Sequence, residues 1–254
     1  MERRIAIYRA MFGNYDKAPV DLFIHPNIDY FFFTDNKETI LPHYQVFTFD
    51  ECETPALNNR HLKIMSHDVL SDYEVTIYID ANIAICRDLT PIINKFLCSD
   101  SEFGLFRHPW NKNVEQECRE CVAVKGISND TIRAEIKHFQ KSFGEPRTPH
   151  TDNSIIMRRR LSARSQEAMV SWFAAVKRYS GRDQISFPYI RSKYGLCEFV
   201  HNFSPRDTSN PYFVVLPHLE NVSTLKRLYI SFKCLIKYYI KNLIWRLTRI
   251  VNRA

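Results

Sequence analysis

The stretch ALNNRHLKIMSHDVLSDYEVTIYID, residues 56–80, joins a helical pattern to a strand pattern. In its first part apolar residues recur at roughly helical spacing, namely Leu57, Leu62, Ile64, Met65, Val69 and Leu70. The run TIYID that follows is short and rich in β-branched residues, which favours a strand over an isolated helix. A helix that leads directly into a strand is typical of a parallel sheet.

The same alternation extends along the chain on both sides of this stretch. Strand patterns occur at RIAIY, DYFFFTDN, YQVFTF, FGLF and NSIIMR. Helical patterns occur at LTPIINKFL and SARSQEAMVSWFAAVKRY, and residues 114–143 are predicted to form one long polar helix. No repeat or linker interrupts them. We therefore predict an α/β fold with a single doubly wound, mainly parallel domain over residues 1–222 and an appendage over residues 223–254.

The positive charge of the chain is concentrated at its C-terminal end. Residues 225–254 contain eight Lys or Arg and no Asp or Glu, so the remaining 27 basic residues nearly balance the 28 acidic ones. A nearly neutral body argues against a broad nucleic-acid-binding face.

The seven cysteines are scattered and follow no secretory leader, which indicates reduced thiols in the cytoplasm. The CREC pair at 118 and 121 lacks a second CxxC, so we expect it to be structural.

The C-terminal segment has the pattern of a basic amphipathic helix. Apolar residues recur every three or four positions from 225 to 250, and Lys226, Lys233, Lys237 and Lys241 mark the opposite side. These lysines make a membrane-spanning helix improbable, whereas Trp245 and several tyrosines suit the surface of an anionic membrane. The alternative is a helix packed on the domain or in a dimer interface.

Polar residues follow three of the predicted strands. They are Asn14-Tyr15-Asp16, Thr34-Asp35 and Asp80-Ala81-Asn82. Ligands of open α/β sheets bind beyond the carboxyl ends of the strands, so we expect these groups to converge on one crevice. Each group taken alone is also compatible with an ordinary cap between strand and loop.

The pair Asp80 and Asn82 is suited to a hard divalent cation. Mg²⁺ and Mn²⁺ prefer oxygen ligands and keep coordination positions for phosphate oxygens. Asn82 supplies a neutral carbonyl where a second carboxylate would bind more strongly. The sequence therefore predicts a weak metal site at this strand end.

Several motifs, in this order and spacing, resemble one known family. They are YRAMFGNYD, DYFFFTDN, RHLKIMSHDVL, TIYIDANIAI, FRHPWN, WFAAVKRYSGRDQISFPY and VVLPH, and together they extend over roughly residues 5–220. The chain resembles the glycosyltransferase-like domain family of plant mucilage-related proteins and bacterial surface-polysaccharide gene clusters. That family is similar in turn to nucleotide-sugar transferases of the GT-A fold.

The resemblance implies a nucleoside-diphosphate sugar as the donor substrate. It implies that Asn14, Tyr15, Thr34 and Asp35 lie around the base and ribose, and that Arg60, Lys63 and Asp80 approach the donor. Asp80 and Asn82 match the metal motif, and His218 is the best match to a late histidine that completes the metal shell. His201 is the competing histidine.

The resemblance also implies catalytic and acceptor residues. Asp183 and Gln184 match an Asp-Gln pair near the anomeric carbon, where an oxygen can stabilise developing positive charge. The alternative is a helix N-terminus that Ser180 or Asp183 caps. Asp152 stands where the family has a glutamate, and its carboxylate could bind a hydroxyl group of the acceptor or act as a base. The resemblance places His108 and Glu117 on the acceptor side of the site.

The leading hypothesis is a hexosyltransferase of surface-polysaccharide synthesis that acts on a glycan or a lipid-linked glycan and uses a divalent metal cofactor. The Asp-Gln match weakly favours retention of the anomeric configuration. Its C-terminal helix would hold it, as a peripheral protein, at the cytoplasmic face of an anionic membrane. The alternative is a metal-dependent hydrolase of a membrane lipid or glycolipid that uses the same carboxylates.

Overall fold

The computed structural model of the protein describes residues 4–13, 21–49, 53–207 and 209–216, and five separate residues of the C-terminal segment. Seven strands form the central sheet: β1 (Ile5–Met11), β2 (Asp29–Thr34), β3 (Gln45–Thr48), β4 (Val75–Ile79), β6 (Phe103–Arg107), β7 (Thr151–Arg159) and β8 (Glu198–His201). Their order across the sheet is β3-β2-β1-β4-β7-β6-β8. A small second sheet pairs β5 (Ile83–Ile85) with β9 (Phe213–Val215).

All strands of the central sheet run in one direction except β7. This strand is antiparallel to both of its neighbours, β4 and β6, whereas every other adjacent pair is parallel. The predicted α/β fold with a mainly parallel sheet is therefore confirmed. Because β7 is reversed, its first residues lie at the edge of the sheet where the parallel strands end, and Asp152 pairs with Phe106 there.

Within residues 53–207 the structure has six α-helices: α1 (Pro55–Met65), α2 (Thr90–Leu97), α3 (Val114–Lys125), α4 (Asn129–Phe143), α5 (Ala163–Arg178) and α6 (Asp183–Tyr194). Helices α3 and α4 pack against α5 and α6 and not against the sheet. One apolar core packs α1, α5 and α6 against one face of the sheet, with Trp172 fully buried and stacked on Phe187. A second core packs α2 and the small sheet against the other face. The sheet is thus buried on both sides, which explains its continuous apolar strands.

The predicted single helix over residues 114–143 is wrong, because two helices occupy this range. Gly126 ends α3 in the left-handed conformation, with φ of 67°, and its N–H donates to the carbonyl of Cys121. Two residues later the Ser128 hydroxyl accepts the N–H of Thr131 at 3.1 Å and caps α4. The glycine ends one helix and the serine begins the next. These two signals are not visible in the helical periodicity of the apolar residues.

Five residues of the C-terminal segment are described, and all five are helical: Phe232, Ile236, Tyr239, Ile240 and Leu243. Their spacing places them on one side of a helix, and between 40% and 62% of each side chain is exposed. Within the described residues, the helices are too short or too polar to cross a bilayer. The predicted boundary between residues 222 and 223 lies outside the described residues.

A buried arginine ties the first strand to the turn after β4. Arg9, in β1, forms a 2.7 Å ion pair with Asp21, and each of these side chains is only 1% exposed. Arg9 also donates hydrogen bonds to the carbonyls of Asp80, at 3.4 Å, and Ile83, while Asp21 accepts the N–H of Ile85 at 2.7 Å. The conformation of residues 80–85 therefore depends on this ion pair.

We predict that Arg9→Met will lower the free energy of unfolding by about 3–5 kcal/mol, because it leaves the Asp21 carboxylate buried without its counter-charge. Urea denaturation followed by circular dichroism measures this change. The matched control is Arg107→Met, which breaks a 3.0 Å pair with Asp207 in which the arginine is 52% exposed. The control is expected to cost at most about 1 kcal/mol, and equal losses in the two variants would contradict the prediction.

Candidate active site

A pocket of about 540 Å³ opens at the edge of the sheet where the parallel strands end. Its wall includes the end of β1, the turn after β4, the start of β7, one side of α1 and the start of α6. At its rim Gly13 approaches Pro55 so closely that a Cβ on residue 13 would lie 2.8 Å from the proline Cβ. Gly13 also has φ of 76°, so a glycine is required here for both space and conformation.

The turn after β4 presents Asp80 and Asn82 to the pocket. The Asp80 side chain is 26% exposed, so its carboxylate reaches the pocket space. Asn82 is held by two hydrogen bonds to Leu216. Its side-chain Nδ2 donates to the Leu216 carbonyl at 2.8 Å, and its backbone carbonyl accepts the Leu216 N–H at 2.7 Å. The turn is consequently fixed from both sides, by Leu216 and by Arg9.

Helix α1 contributes Asn59, Arg60 and Lys63. Asn59 and Arg60 lie four and three residues before Lys63, so both are its neighbours on the helix surface. The Asn59 amide donates to the carbonyl of Ala10 at 2.8 Å and so docks the helix on β1. Near the end of the helix, the buried Arg158 of β7 donates to the carbonyl of Lys63 at 2.7 Å. These two hydrogen bonds fix the height and rotation of α1 above the pocket.

Lys63 joins the two carboxylates at the centre of the pocket. Its Nζ lies 2.8 Å from Asp183 Oδ2 and 3.4 Å from Asp80 Oδ1. Arg60 adds a second cation, with Nε 3.7 Å from Asp183 Oδ1. Burial alone would raise the pKa of Asp183, but the charges of Arg60, Lys63 and Arg182 outweigh burial and hold this pKa well below its usual range. Asp183 is therefore ionised at neutral pH.

The start of α6 places Asp183 and Gln184 in the pocket. The helix N-terminus of the alternative interpretation is present, since α6 begins at Asp183. The capping role of Ser180 or Asp183 is wrong, because Arg182 occupies the cap position. Ser180 instead accepts the N–H of Arg182 at 3.2 Å. Arg182 donates to the side-chain carbonyl of Gln184 at 3.0 Å and to Glu117 at 3.2 Å.

The start of β7 supplies a third carboxylate. Asp152 is only 1% exposed yet lines the pocket, and its Oδ1 accepts the N–H of Ser154 at 2.9 Å. Its Oδ2 accepts the Nε–H of Arg206 at 3.0 Å. Arg206 lies in a loop without any periodic pattern, so the sequence offered no signal for it. For Arg182 the sequence does contain a signal, because this residue directly precedes Asp183 and lines the same pocket.

The structure brings together seven of the residues expected at the site: Arg60, Lys63, Asp80, Asn82, Asp152, Asp183 and Gln184. Thr34 and Asp35 are outside the described pocket wall. Thr34 is fully buried, and Asp35 accepts the N–H of Gly13 at 2.8 Å beside the pocket. The roles predicted for three further residues stay predictions, because these lie outside the described residues: Asn14, Tyr15 and His218.

His201 has the environment of a structural residue. It is 3% exposed, its ring stacks on Phe106 at 4.6 Å between centroids, and it lies outside the pocket wall. Burial, with a smaller contribution from Lys95, lowers its pKa to about 4. His201 is therefore a neutral member of an aromatic cluster.

A protein-family model described as the TOD1/MUCI70 glycosyltransferase-like domain matches residues 46–209. The match covers more than half of the chain and includes the turn at Asp80 and the start of α6 at Asp183. The chain belongs to this family. The expected resemblance is thus confirmed.

Comparison with solved structures finds the apo structure of a bifunctional glycosyltransferase, WbbM, at 11% sequence identity and a TM-score of 0.47. The alignment covers 92% of this chain and 45% of the WbbM chain, so the protein spans less than half of the length of WbbM. No curated protein matches the chain.

The described residues of this family member fit a divalent cation poorly at the predicted position. Of the predicted ligands, Asp80 provides a carboxylate, but Lys63 already lies 3.4 Å from its Oδ1. Asn82 provides an amide oxygen on a side chain that is otherwise bonded to Leu216. A metal ion would share its single carboxylate ligand with an ammonium group. The metal assignment stays a prediction.

A second group of potential metal ligands lies behind Arg182. His108, Glu117 and His150 are buried, and one ligand atom from each falls within 4.8 Å of the others. Two observations count against a metal ion among these side chains. His108 Nδ1 accepts the N–H of Asn111 at 2.8 Å, so a neutral ring carries its proton on Nε2, the atom that faces Glu117. Arg182 also lies 3.2 Å from Glu117 and already balances its charge.

Glu117 holds Arg182 in place. Burial opposes ionisation of Glu117, but the neighbouring His150 ring, Arg182 and Asn111 lower its pKa to about 2. His108 and Glu117 are 8% and 3% exposed and contribute nothing to the described pocket wall. Their contact with the pocket runs through Arg182.

Glu135 of α4 supports the turn that leads into α6. Its side chain is fully buried, and Oε2 accepts the N–H of Ser180 at 3.3 Å. Its Oε1 has no hydrogen-bond partner among the described residues. Burial raises the pKa of Glu135 to about 7, although the bonds from Ser180 partly offset this effect.

This pKa predicts a pH-dependent contribution to stability. The folded pKa of about 7 lies above the value of 4.5 for an unperturbed glutamate, so folding binds a proton between these values and stability falls as pH rises. We expect Glu135→Gln, relative to wild type, to gain on the order of 3 kcal/mol of unfolding free energy between pH 4.5 and pH 8.

Urea denaturation at both pH values measures this difference. Glu115→Gln is the matched control, because Glu115 is 71% exposed in the neighbouring helix α3. Its difference from wild type should stay nearly constant with pH. A constant difference for Glu135→Gln would show that folding does not shift the pKa of this carboxyl group, which would contradict the prediction.

Proposed function

We propose that the protein transfers a sugar from a nucleoside-diphosphate sugar to a hydroxyl group of a glycan or lipid-linked glycan in surface-polysaccharide synthesis. The observation that carries this proposal is the meeting of Asp80, Lys63 and Asp183 in one pocket at the carboxyl edge of the sheet. Membership of the family of glycosyltransferase-like domains supports it.

The charges of the pocket suggest where the donor binds. Arg60 and Lys63 face the pocket from α1 and suit the donor diphosphate. Asp183 and Gln184 then lie beside the sugar, where the ionised carboxylate of Asp183 stabilises positive charge at the anomeric carbon. The Asp183 carboxylate is buried among cations, so its role is electrostatic and not that of an attacking nucleophile.

Asp152 and Arg206 close the pocket from the side of β7 and are suited to the acceptor. In the transfer step the bond between the anomeric carbon and the diphosphate oxygen breaks, and its electron pair leaves with the diphosphate. The acceptor oxygen forms the new bond to the anomeric carbon and releases its proton to the Asp152 carboxylate. We assign His108 and Glu117 a positioning role through Arg182, since Glu117 contacts that guanidinium directly.

We predict that Asp183→Asn will lower turnover about 100-fold or more, because the amide keeps the shape of the carboxylate but not its charge. Binding of the nucleoside diphosphate should change only a few-fold. The measurement is release of nucleoside diphosphate from a panel of UDP-sugars and GDP-sugars, together with thermal-shift titration of UDP and GDP.

The matched control is Asp29→Asn. Asp29 begins β2 at the opposite edge of the sheet and accepts a hydrogen bond from Tyr73 at 2.6 Å. This variant should keep wild-type turnover. Full turnover in Asp183→Asn would remove the assigned role, and absence of binding and turnover with every nucleotide sugar would count against a transferase.

The C-terminal segment supports a peripheral membrane location, at the cytoplasmic face in our proposal. Its five described residues expose apolar side chains on one side of a helix. Residues 225–254 also carry eight basic and no acidic residues. Apolar contact and positive charge together fit an anionic lipid surface, where a lipid-linked acceptor would also be held.

We predict that the full chain will sediment with vesicles of phosphatidylcholine and phosphatidylserine, and that the double variant Phe232→Glu/Ile240→Glu will stay in the supernatant. The new charges oppose both apolar contact and the anionic surface. The matched control is Val170→Glu/Ile40→Glu, which changes two exposed apolar residues of the body, 54% and 88% exposed. Equal sedimentation of both double variants would refute the assignment of this helix to the membrane.

A further inference from the structure

The described wall of the pocket carries a surplus of positive charge. Its cationic side chains are Arg60, Lys63, Lys125, Arg182 and Arg206, and its anionic side chains are Asp80, Asp152 and Asp183. The donor diphosphate carries a negative charge on each of its two phosphoryl groups. Arg182 is paired with Glu117 outside the wall, so the wall keeps one net positive charge to meet a bound diphosphate.

Lys63 has the position and the rigidity to contact the diphosphate. Its side chain is 4% exposed, and its Nζ lies 2.8 Å from Asp183 and 3.4 Å from Asp80. The ring of Tyr78 lies beneath it, with Nζ 5.4 Å from the ring centroid. An ammonium group that is held in this way is already desolvated and oriented before the ligand binds, so little reorganisation is needed.

Lys63 also stands where a divalent cation would be expected to act. A metal that bridges protein and diphosphate needs oxygen ligands at the end of β4, and Asp80 is the described carboxylate there. Lys63 already lies 3.4 Å from this carboxylate, and Asn82 adds no second charge. The ammonium group and a metal ion would therefore serve the same electrostatic purpose at the same carboxylate.

We infer that Lys63, with Arg60 beside it, forms a diphosphate-binding site that works without a divalent cation. The identity of the natural ligand as a nucleoside-diphosphate sugar rests on the proposed function. The inference itself concerns the anion site. When the bond to the anomeric carbon breaks, the negative charge that develops on the departing diphosphate is stabilised by the ammonium and guanidinium groups.

The test uses isothermal titration calorimetry of the full chain with inorganic pyrophosphate and with UDP and GDP. Each titration is run once with EDTA and once with Mn²⁺ after exhaustive dialysis. We expect pyrophosphate and at least one nucleoside diphosphate to bind with EDTA, and their affinities to differ from those with Mn²⁺ by less than about threefold, which is well below 1 kcal/mol.

Variants at the anion site make the test specific. Lys63→Met should weaken binding of pyrophosphate with EDTA about tenfold or more, as expected for loss of a charge-assisted hydrogen bond, and Lys63→Arg should retain most of it. Arg60→Met should weaken binding several-fold, and because Arg60 is 24% exposed it is the safer variant if Lys63→Met does not fold. Lys177→Met is the control, since Lys177 is 53% exposed on α5 and lies outside the pocket wall.

The outcomes separate the inference from the proposed function. Binding of pyrophosphate and nucleoside diphosphates only with Mn²⁺ overturns the inference, whatever the enzyme transfers. Wild-type affinity in Lys63→Met, or in Arg60→Met if the first variant does not fold, also overturns it. Binding of pyrophosphate with EDTA and its loss in these variants supports the anion site, even if no nucleotide sugar is turned over, in which case only the transferase proposal fails.

Discussion

The ion pair between Lys63 and Asp183 connects the parts of the protein that must meet at the pocket. Lys63 belongs to the helix that follows β3, and Asp183 begins the helix that precedes β8. Both side chains are nearly inaccessible to water, so each charge needs a partner of opposite sign. The pair therefore constrains α1 and α6 to one relative position, and Asp80 at the end of β4 completes the contact.

The surrounding hydrogen bonds show how the fold makes this constraint possible. Arg9 and Leu216 fix the turn that carries Asp80, and Ala10 and Arg158 fix the helix that carries Lys63. Each of these bonds joins segments that are distant in the sequence. The position of the charged groups is thus determined by the sheet and not by the local loops, which keeps the pocket rigid.

The sequence predicted six of the seven strands of the central sheet, because these strands have a strong local pattern. It did not predict the short strands β5, β8 and β9, and it joined α3 and α4 into one helix. It also indicated seven of the pocket residues. Asp80 and Asn82 stand out as polar residues at a strand end, whereas the other five were implied by the family resemblance alone. It did not reveal that β7 runs against the sheet, because an apolar strand has the same pattern in either direction. Nor did it reveal which charges pair, since the partners of Arg9, Lys63 and Asp152 are set by tertiary packing alone.

The reversal of β7 has a consequence for how this architecture can diversify. The chain leaves the pocket edge at the end of β6 and returns to the same edge at the start of β7, where Arg107 pairs with Thr151. The intervening residues 108–150, which include α3 and α4, form an excursion with both ends fixed at neighbouring points. Such a segment can be lengthened, shortened or exchanged without shifting the strands on either side. Evolution and design can thus alter this side of the pocket while the half formed by β1, α1 and β4 is left intact.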